Sequence, residues 1–343
     1  MGSDVFFYGG GGDLTGVFGG IVSKVSEDLK AGHVGIKVHF GEGENDTHVK
    51  AEWLRDAGRY LKNPVFVECN VLYKGDRTTR ETHVETAKKH GFDFLPIDIL
   101  DSERGEDQMN VEVNTKNTNA AKLGGGLAKY DNLVSIAHFK GHIATGFGGA
   151  LKNVGMGLAS RGGKMDMHSI VAPTWEGSKC KFCGLCAENC AEGVIDVGKN
   201  LVVFNGKCVG CARCIAVCPT GAITVPWHLT VSKTLMEKVA DYALAATKGR
   251  RWWFVNFLTN ITYDCDCMPF RQMPFMKDVG LLLSRDPVAV DQASLDLVVK
   301  ENGGKDPFAK KHGVDGTHIL EYAEKIGLGS RKYRMIRESN TAP

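Results

Sequence analysis

Residues 132–157 read NLVSIAHFKGHIATGFGGALKNVGMG, passing from an apolar run through a glycine-rich loop to a segment with helical spacing. The apolar run predicts a buried β-strand that ends at His138, and the segment after the glycines predicts a helix that carries Lys152. Similar runs lie between residues 4 and 99, separated by helical patterns such as THVKAEWLRDAGRYLKN and RETHVETAKKHG. Strands that alternate with helices predict an α/β fold with a mostly parallel sheet covered by helices.

The overall composition excludes several classes of function. The 343 residues carry 42 basic and 40 acidic side chains, a formal charge of +2, which gives no reason to expect a nucleic-acid partner. No apolar run approaches the roughly 20 residues that span a bilayer, and the N-terminus lacks a signal-peptide pattern. We therefore expect a cytoplasmic protein without a membrane partner. Eleven cysteines in such a compartment indicate metal ligation rather than disulfides.

Eight of these cysteines lie in two runs of the same spacing, CKFCGLCAENC at 180–190 and CVGCARCIAVCP at 208–219. This is the spacing of two-cluster ferredoxins, in which the fourth cysteine of each run ligates the other cluster. It predicts one [4Fe–4S] cluster on Cys180, Cys183, Cys186 and Cys218. It predicts a second on Cys190, Cys208, Cys211 and Cys214. The first run lacks the usual proline after its fourth cysteine, and two four-cysteine zinc sites are the disfavoured alternative because zinc ligands rarely follow this pattern.

The cysteine-rich segment divides the chain into three parts. We predict a first part of an α/β domain at 1–177, an inserted ferredoxin-like domain that holds both clusters at 178–227, and the rest of the α/β domain at 228–343. In the last part Asp286 and Pro287 have the residue types that open a helix, as N-cap and first helical residue.

Five basic side chains group around the opening stretch, and together they indicate a functional site. His138 ends the predicted strand, Lys140 and His142 follow in the loop, Lys152 lies on the predicted helix, and His168 follows a later glycine pair. Ligands of parallel sheets lie at the carboxyl ends of the strands, and helix N-termini attract anions. We therefore predict catalytic roles for His138, Lys140, His142 and Lys152, with histidine as proton donor and lysine binding an anionic substrate or cofactor. Lys152 and His168 are candidate cofactor-binding residues.

The remaining cysteines and histidines leave alternatives open. Cys265 and Cys267, two residues apart, can face one metal, form a redox dithiol or be buried thiols. Cys69 lies in an apolar run and is expected in the core. His83 is expected on a charged surface helix, with anion binding beside Arg77 as the alternative. The glycine run at residues 9–12 matches no phosphate-loop template, so we expect a flexible turn there.

Several segments resemble the ferredoxin-containing branch of the domain-of-unknown-function family number 362. They are KVHFGEGEN, LYKGDRTTRETHVETAKKHGF, HFKGHIATGFGGALKNVGMGLASRGGKMDMH, the CDC pair and SRDPVAVDQA, and the resemblance extends from about residue 30 to the end. It implies an α/β domain with an inserted two-cluster ferredoxin, in metabolism of the anaerobic type. It implies no particular reaction.

A second, local resemblance is to nickel-pincer lactate racemases. There a catalytic histidine precedes a cofactor-bearing lysine by ten residues and a metal-ligand histidine follows by sixteen, the spacing of His142, Lys152 and His168 here. It implies an acid/base role for His142 and cofactor anchoring by Lys152 and His168. A racemase needs no net electrons, so the leading hypothesis is an oxidoreductase or reductive activator that receives electrons from a redox protein. A plain electron carrier and a metal- or pincer-dependent isomerase are the alternatives, and a further metal or organic redox cofactor is compatible with each.

Overall fold

The computed structural model describes residues 2–10, 14–29, 32–168, 172–206 and 208–339. The predicted turn at residues 9–12 falls partly outside these ranges. Within them no helix is both long and apolar enough to cross a bilayer.

The strands of the described residues are, in chain order, β1 (Ser3–Gly9), β2 (Val34–Val38), β3 (Pro64–Glu68), β4 (Ile97–Ile99), β5 (Gln108–Glu112), β6 (Ala120–Gly124), β7 (Asn132–His138), β8 (Lys140–His142), β9 (Gly146–Gly148), β10 (Thr174–Trp175), β11 (Ile195–Val197), β12 (Val202–Phe204), β13 (Ile223–Thr224), β14 (Arg251–Leu258), β15 (Gly280–Ser284) and β16 (Tyr333–Glu338).

The α-helices of the same ranges are α1 (Leu14–Ser26), α2 (Ala57–Tyr60), α3 (Arg80–Lys89), α4 (Ala150–Gly155), α5 (Arg161–His168), α6 (Leu185–Glu188), α7 (Arg213–Val217), α8 (Ser232–Thr247), α9 (Pro287–Glu301), α10 (Pro307–His312) and α11 (Thr317–Lys325). Short 3₁₀ turns occupy Ala51–Leu54, Gly125–Lys129, Gly177–Lys179 and Trp227–Leu229.

A central sheet joins eight of the described strands in the order β16-β1-β15-β14-β7-β2-β3-β4. Every neighbouring pair is parallel except the two pairs that involve β15. This strand runs backwards because no helix separates it from β14. The chain leaves β14 at the carboxyl edge, stays there in the 259–279 loop, and re-enters where the Val279 N–H donates to the Leu258 carbonyl at 2.8 Å. The predicted α/β fold with a mostly parallel sheet is confirmed.

Helices cover both faces of this sheet. On one face a buried cluster includes Val134 and Ile136 of β7 and packs against α1. On the other face Leu133 of the same strand belongs to a second cluster, with side chains of α4, α8, α9 and α11. Burial on both faces explains why β7 is buried at every position and reads as a continuous apolar run.

The cysteine-rich segment has its own small core. Strand β10 pairs with β13 and β11 with β12, both antiparallel and outside the central sheet. The core contains Cys214 and Cys218 and is packed by Cys180, Cys186 and Cys190. Two side chains from the α/β part, Leu72 and Met165, also belong to it. The cysteine-rich segment therefore packs directly onto the loop after β3 and onto α5.

Local predictions have mixed outcomes. The predicted cap is confirmed, since the Asp286 carboxylate accepts from the backbone N–H groups of Val288 and Ala289 at the start of α9. The helix expected over residues 47–63 is reduced to a 3₁₀ turn and the short α2. Cys69 lies in the core, 1% exposed, as predicted.

Candidate functional site

The carboxyl edge of the central sheet brings the loop after β7 against the loop after β14. His138 ends β7 beside Phe257 of β14, and the Gly141 N–H donates to the Thr262 carbonyl at 2.8 Å. A Cβ at Gly141 would collide with the carbonyl oxygen of Tyr263, so the two loops can approach this closely only at a glycine. This contact places the CDC sequence of residues 265–267 over the end of β7.

Asp266, the central residue of CDC, is a fully buried carboxylate that ties the two loops together. It lies 2.8 Å from His138 Nδ1 and 3.4 Å from Lys140 Nζ. Burial opposes ionisation of Asp266, but the charges of His138 and Lys140 outweigh it and hold its pKa well below the usual range. Its carboxylate therefore remains charged and fixes both basic side chains.

His138 has no free ring nitrogen. Its Nδ1 faces the Asp266 carboxylate, and its Nε2 lies 2.9 Å from the carbonyl oxygen of Thr259. Both neighbours are hydrogen-bond acceptors, so each ring nitrogen already has a partner within the protein. Lys140 is similarly engaged, donating to the His138 carbonyl at 2.8 Å. In this arrangement both residues contact the CDC loop through Asp266, and their predicted catalytic roles stay predictions.

The two thiols of the CDC sequence form a pair beside Lys152. Lys152 Nζ donates to Cys265 Sγ at 3.7 Å. The pKa of the Cys265 thiol lies well below its usual value because Cys267 hydrogen-bonds to it; burial opposes this shift, and Lys152 adds to it. The same hydrogen bond, with burial, raises the pKa of Cys267 well above its usual value. Of the two thiols, Cys265 next to Lys152 is therefore the one that loses its proton more readily.

Lys152 is a half-buried cation that lies against the Cys265 sulfur. Burial lowers its pKa, but Cys265 and then Cys267 outweigh burial and raise it. Its stem passes Gly148, where a Cβ would stand 3.2 Å from Lys152 Cδ and 3.7 Å from Lys140 Cε. The glycine in β9 thus gives two lysines room on one side of the thiol pair.

His142 and His168 lie close enough to Lys152 for its charge to act on both. The pKa of His142 is well below its usual value, through burial first, then Lys152 and His168. Burial and then Lys152 lower the pKa of His168 to about 3. The backbone N–H groups of Ala144 and Thr145 both donate to His142 Nδ1 at 3.2 Å, which leaves its proton on Nε2. Both histidines are therefore neutral near pH 7, and His142 can donate a proton only from neutral imidazole.

The N-terminus of α4 carries no external anion site. Its first N–H groups, at Ala150 and Leu151, donate to the Asp291 carboxylate at 2.7 and 2.9 Å, and Asn256 donates to the same group at 2.7 Å. An anion at this helix start was expected from sequence; a carboxylate of α9 occupies the position instead. Burial raises the pKa of Asp291 to about 6.

A buried ionic network lies beneath the CDC loop and links it to β3. Arg77 Nε donates to the Glu42 carboxylate at 3.0 Å, and the Tyr73 hydroxyl donates to the same group at 3.0 Å. The Tyr73 hydroxyl also lies 3.4 Å from the carbonyl oxygen of Cys267. Arg77 is therefore buried and paired with Glu42 rather than free to bind an external anion. It also donates to the Tyr73 hydroxyl, which in turn contacts the CDC loop.

The expectation that His83 lies on a surface helix is wrong. The helix α3 turns His83, Thr86 and Ala87 inwards, and the His83 ring is fully buried, edge-on to Phe40 with ring centroids 5.6 Å apart. Neither ring nitrogen has a hydrogen-bond partner within the described ranges. Burial, and then the charge of Arg77, lower its pKa well below the usual value, so the ring is a neutral core side chain.

The two cysteine runs fold as copies of one loop. In each, the N–H two residues after the first cysteine donates to its sulfur at 3.4 Å, Phe182 to Cys180 and Gly210 to Cys208. The same positions are left-handed in both copies: Phe182 and Gly210 at φ 53° and 70°, Gly184 and Ala212 at φ 79° and 55°. A short helix, α6 or α7, starts directly after the second of them. The left-handed backbone of Phe182 and Ala212 costs roughly 1–2 kcal/mol each, so the rest of the loop must hold it in place.

The first of these loops encloses a cavity with a distinctive lining. Its wall includes four cysteines, Cys180, Cys183, Cys186 and Cys218. The pKa of Cys186 is raised by burial first, and Cys218 and Cys180 add to the shift, which places the three thiols within electrostatic reach. In the described part of the chain no three His, Cys, Asp or Glu side chains converge on a single metal ion. A four-iron cluster takes one thiolate on each of four irons and does not require such convergence.

Two important residues of the site were not predicted. Asp266 lies between the two CDC thiols, and nothing in its sequence neighbourhood indicates that it pairs with His138. Asp291 stands in a helical pattern that gave no sign of its role.

The structure thus defines an α/β protein with a covered sheet, in which thiol, lysine and histidine side chains meet at the sheet's carboxyl edge. The sequence pattern of the family described as "Domain of unknown function (DUF362)" matches residues 34–296, and the chain belongs to this family. No curated protein sequence matches it.

Two solved structures are similar to this chain at low identity. One is a crystal structure of a protein from Thermotoga maritima, with 13% identity and a TM-score of 0.43, covering 84% of this chain and 59% of that one. The other is the lactate racemase apoprotein from Thermoanaerobacterium thermosaccharolyticum, with 12% identity and a TM-score of 0.36, covering 75% of this chain and 51% of that one. The chain thus matches only about half of each of these longer proteins.

Proposed function

We propose that this protein is an iron–sulfur electron-transfer protein, an oxidoreductase or reductive activator, that binds two [4Fe–4S] clusters and delivers single electrons to the CDC site. Such clusters exchange one electron each. The observation that carries the proposal is the cavity lined by Cys180, Cys183, Cys186 and Cys218. These are the four cysteines that the ferredoxin spacing assigns to one cluster, although Cys218 is far from the others in sequence.

The second cluster is proposed on Cys190, Cys208, Cys211 and Cys214. Its support is the matched loop around Gly210 and Ala212, which repeats the backbone of the first loop. Burial raises the pKa of Cys214 to about 12, and Cys211, Cys208 and Cys186 add to the shift. Because Cys186 belongs to the first group, the two groups of thiols lie within electrostatic reach of each other.

A short stretch of three residues connects the cysteine-rich segment to the CDC site. Leu72 belongs to the cysteine-rich core, and a Cβ at Gly221 would stand 3.6 Å from the Lys74 side chain. Tyr73, between these two residues, reaches the carbonyl oxygen of Cys267. Residues 72–74 therefore touch the cysteine-rich core on one side and the CDC loop on the other.

We propose a redox protein as the electron donor. The second cysteine of each loop, Cys183 and Cys211, is exposed. Beside them Leu185 and Val209 expose 36% and 49% of their surface, which gives an apolar contact next to each cluster site. A small anionic substrate remains the proposed acceptor at the sheet edge, near Lys152.

Anaerobic purification or reconstitution followed by iron and sulfide analysis tests the proposal. We expect about eight irons per chain and electron paramagnetic resonance signals of two reduced clusters. Cys183→Ser should reduce the iron content to about four while leaving the second site filled. Iron near zero after reconstitution, or two bound zinc ions per chain, would refute it.

The alternatives differ in what else the protein binds. A plain electron carrier predicts that Lys152→Met leaves electron transfer from the clusters to external acceptors unchanged. An isomerase of the pincer type is suggested by the proximity of His142, Lys152 and His168 and predicts a covalent adduct on Lys152. Intact-protein mass spectrometry detects such an adduct directly. Lys152 already donates a hydrogen bond to Cys265, which favours stabilisation of the thiol pair over attachment of a cofactor as the role of this lysine.

A further inference from the structure

The CDC loop contains two sulfurs with no assigned partner in the cluster pattern, held side by side at the end of the contact route from the cysteine-rich segment. Cys265 is 3% exposed, whereas Cys267 is partly exposed. We propose that Cys265 and Cys267 form a reversible dithiol–disulfide couple that stores two electrons at the sheet edge. This rests on the proposed function in one respect, because it takes the clusters as the source of those electrons.

The loop holds both sulfurs in fixed positions. The Gln272 side-chain amide donates to the Cys265 carbonyl at 3.0 Å, and the Tyr73 hydroxyl lies at 3.4 Å from the Cys267 carbonyl. Between them the Asp266 side chain is anchored to His138 on the opposite side. With three successive residues held this way, both sulfurs lie within reach of the Lys152 charge.

The chemistry balances with groups that are present. Reduction of the Cys265–Cys267 disulfide breaks one S–S bond and takes up two electrons and one proton. The products are a thiolate at Cys265, which Lys152 stabilises, and a thiol at Cys267, which keeps the proton. Transfer of both electrons and the proton to the small anionic substrate that we propose as acceptor near Lys152 re-forms the S–S bond. Two proposed clusters, each donating one electron, thus supply the two electrons that reduce the disulfide.

The sequence provides a clean assay for this couple. Trypsin cleaves after Arg251 and Arg271, and the peptide 252–271 between them contains Cys265 and Cys267 and no other cysteine. Peptide 63–74 contains only Cys69, a buried cysteine, and serves as the internal control. After mild oxidation with diamide we expect peptide 252–271 to take up no alkylating reagent and to have lost two hydrogens. After reduction it should take up two alkyl groups, while peptide 63–74 is unchanged between the two states.

The electron count tests the same couple in the intact protein. Reductive titration of diamide-oxidised, cluster-loaded protein should consume about four electrons per chain, one per cluster and two for the disulfide. Cys265→Ser and Cys267→Ser should each consume about two with full iron, and the control Cys69→Ala should still consume about four.

The outcomes separate the couple from the clusters. If peptide 252–271 takes up two alkyl groups in every state, or both serine variants still consume four electrons, the couple is refuted while the clusters stand. A bound metal other than cluster iron that is lost from the serine variants also refutes it, because the thiols would then be metal ligands. If the chain binds no iron but dithiothreitol opens the disulfide in peptide 252–271, the proposed function fails and the couple stands.

Discussion

The first prediction concerns Lys152→Met, which keeps an apolar side chain of similar length but removes its charge. Among the described residues, Lys152 is the only cation in hydrogen-bond contact with the Cys265 sulfur. Lys152 Nζ lies 3.7 Å from Cys265 Sγ, and Lys152 is half-buried. It stabilises the thiolate, which exists only in the reduced state of the pair. Removing it should therefore make the disulfide harder to reduce and lower the potential of the couple.

The size of the shift follows from the separation of the charges. Two unit charges about 4 Å apart attract by about 4 kcal/mol at an effective dielectric constant of 20. For a two-electron couple about 30 mV corresponds to 1.4 kcal/mol, so full loss of this attraction lowers the potential by roughly 90 mV. Lys140 also acts on Cys265 and remains in the variant, and other groups relax. We therefore expect a decrease of about 30 to 90 mV.

The assay equilibrates wild-type and variant protein in a series of dithiothreitol redox buffers and scores the alkylation of peptide 252–271 by mass. Lys152→Arg, which retains the charge, is the matched control and should shift the potential by a smaller amount. The iron content of both variants should equal that of wild type, because no cluster cysteine is changed. An unchanged or raised potential in Lys152→Met would refute the role of Lys152 as partner of the thiolate.

Three further predictions concern the scaffold of the two sites. Gly141→Ala forces a Cβ onto the carbonyl oxygen of Tyr263, and urea denaturation should show a loss of about 1–3 kcal/mol; a change below about 0.5 kcal/mol would contradict this contact. Ala212→Val places a β-branched residue at φ 55° in the second cysteine loop, so the iron content should decrease towards half, with the first site retained, whereas equal loss from both sites would contradict the separate loops. Burial raises the pKa of Asp101 from 3.8 to about 6, so the stability from its neutral carboxyl is full below about pH 4 and is lost as the pH rises through about 6. Asp101→Asn should remove this decrease, on the order of 3 kcal/mol between pH 4 and 7, and parallel pH–stability curves for the two proteins would contradict it.

The sequence predicts those strands whose burial is visible as an apolar run of residues. The run at 132–139 is apolar because helices cover both faces of β7, and this pattern is visible without any partner strand. The reversed direction of β15 was not predictable in this way, since it depends on where the 259–279 loop lies. His83 was misplaced for a related reason. Charged neighbours in sequence suggest a surface, but the inward face of α3 is set by packing against Phe40.

The sequence predicts where the site residues lie but not which partners their side chains contact. Strand-end position correctly indicated that His138, Lys140 and His142 lie at the carboxyl edge of the sheet, because this edge is a property of the topology. Their roles depend on which acceptor each one meets, and those acceptors come from distant segments. Asp266, for example, is 128 residues from His138 in the sequence, and its carboxylate is the partner of the His138 ring.

The point at which the cysteine-rich segment enters and leaves the α/β part supports its connection to the CDC site. It follows α5, whose last residue is His168, and it ends near Trp227, whose ring packs edge-on against His168 with centroids 5.0 Å apart. The Thr230 hydroxyl then donates to the His168 carbonyl at 2.8 Å. Both ends of the segment therefore meet at a residue whose pKa responds to Lys152. The described residues on either side of the cysteine-rich segment thus lie next to a histidine within reach of the Lys152 charge, and this position is consistent with the electron transfer to the thiol pair that we propose.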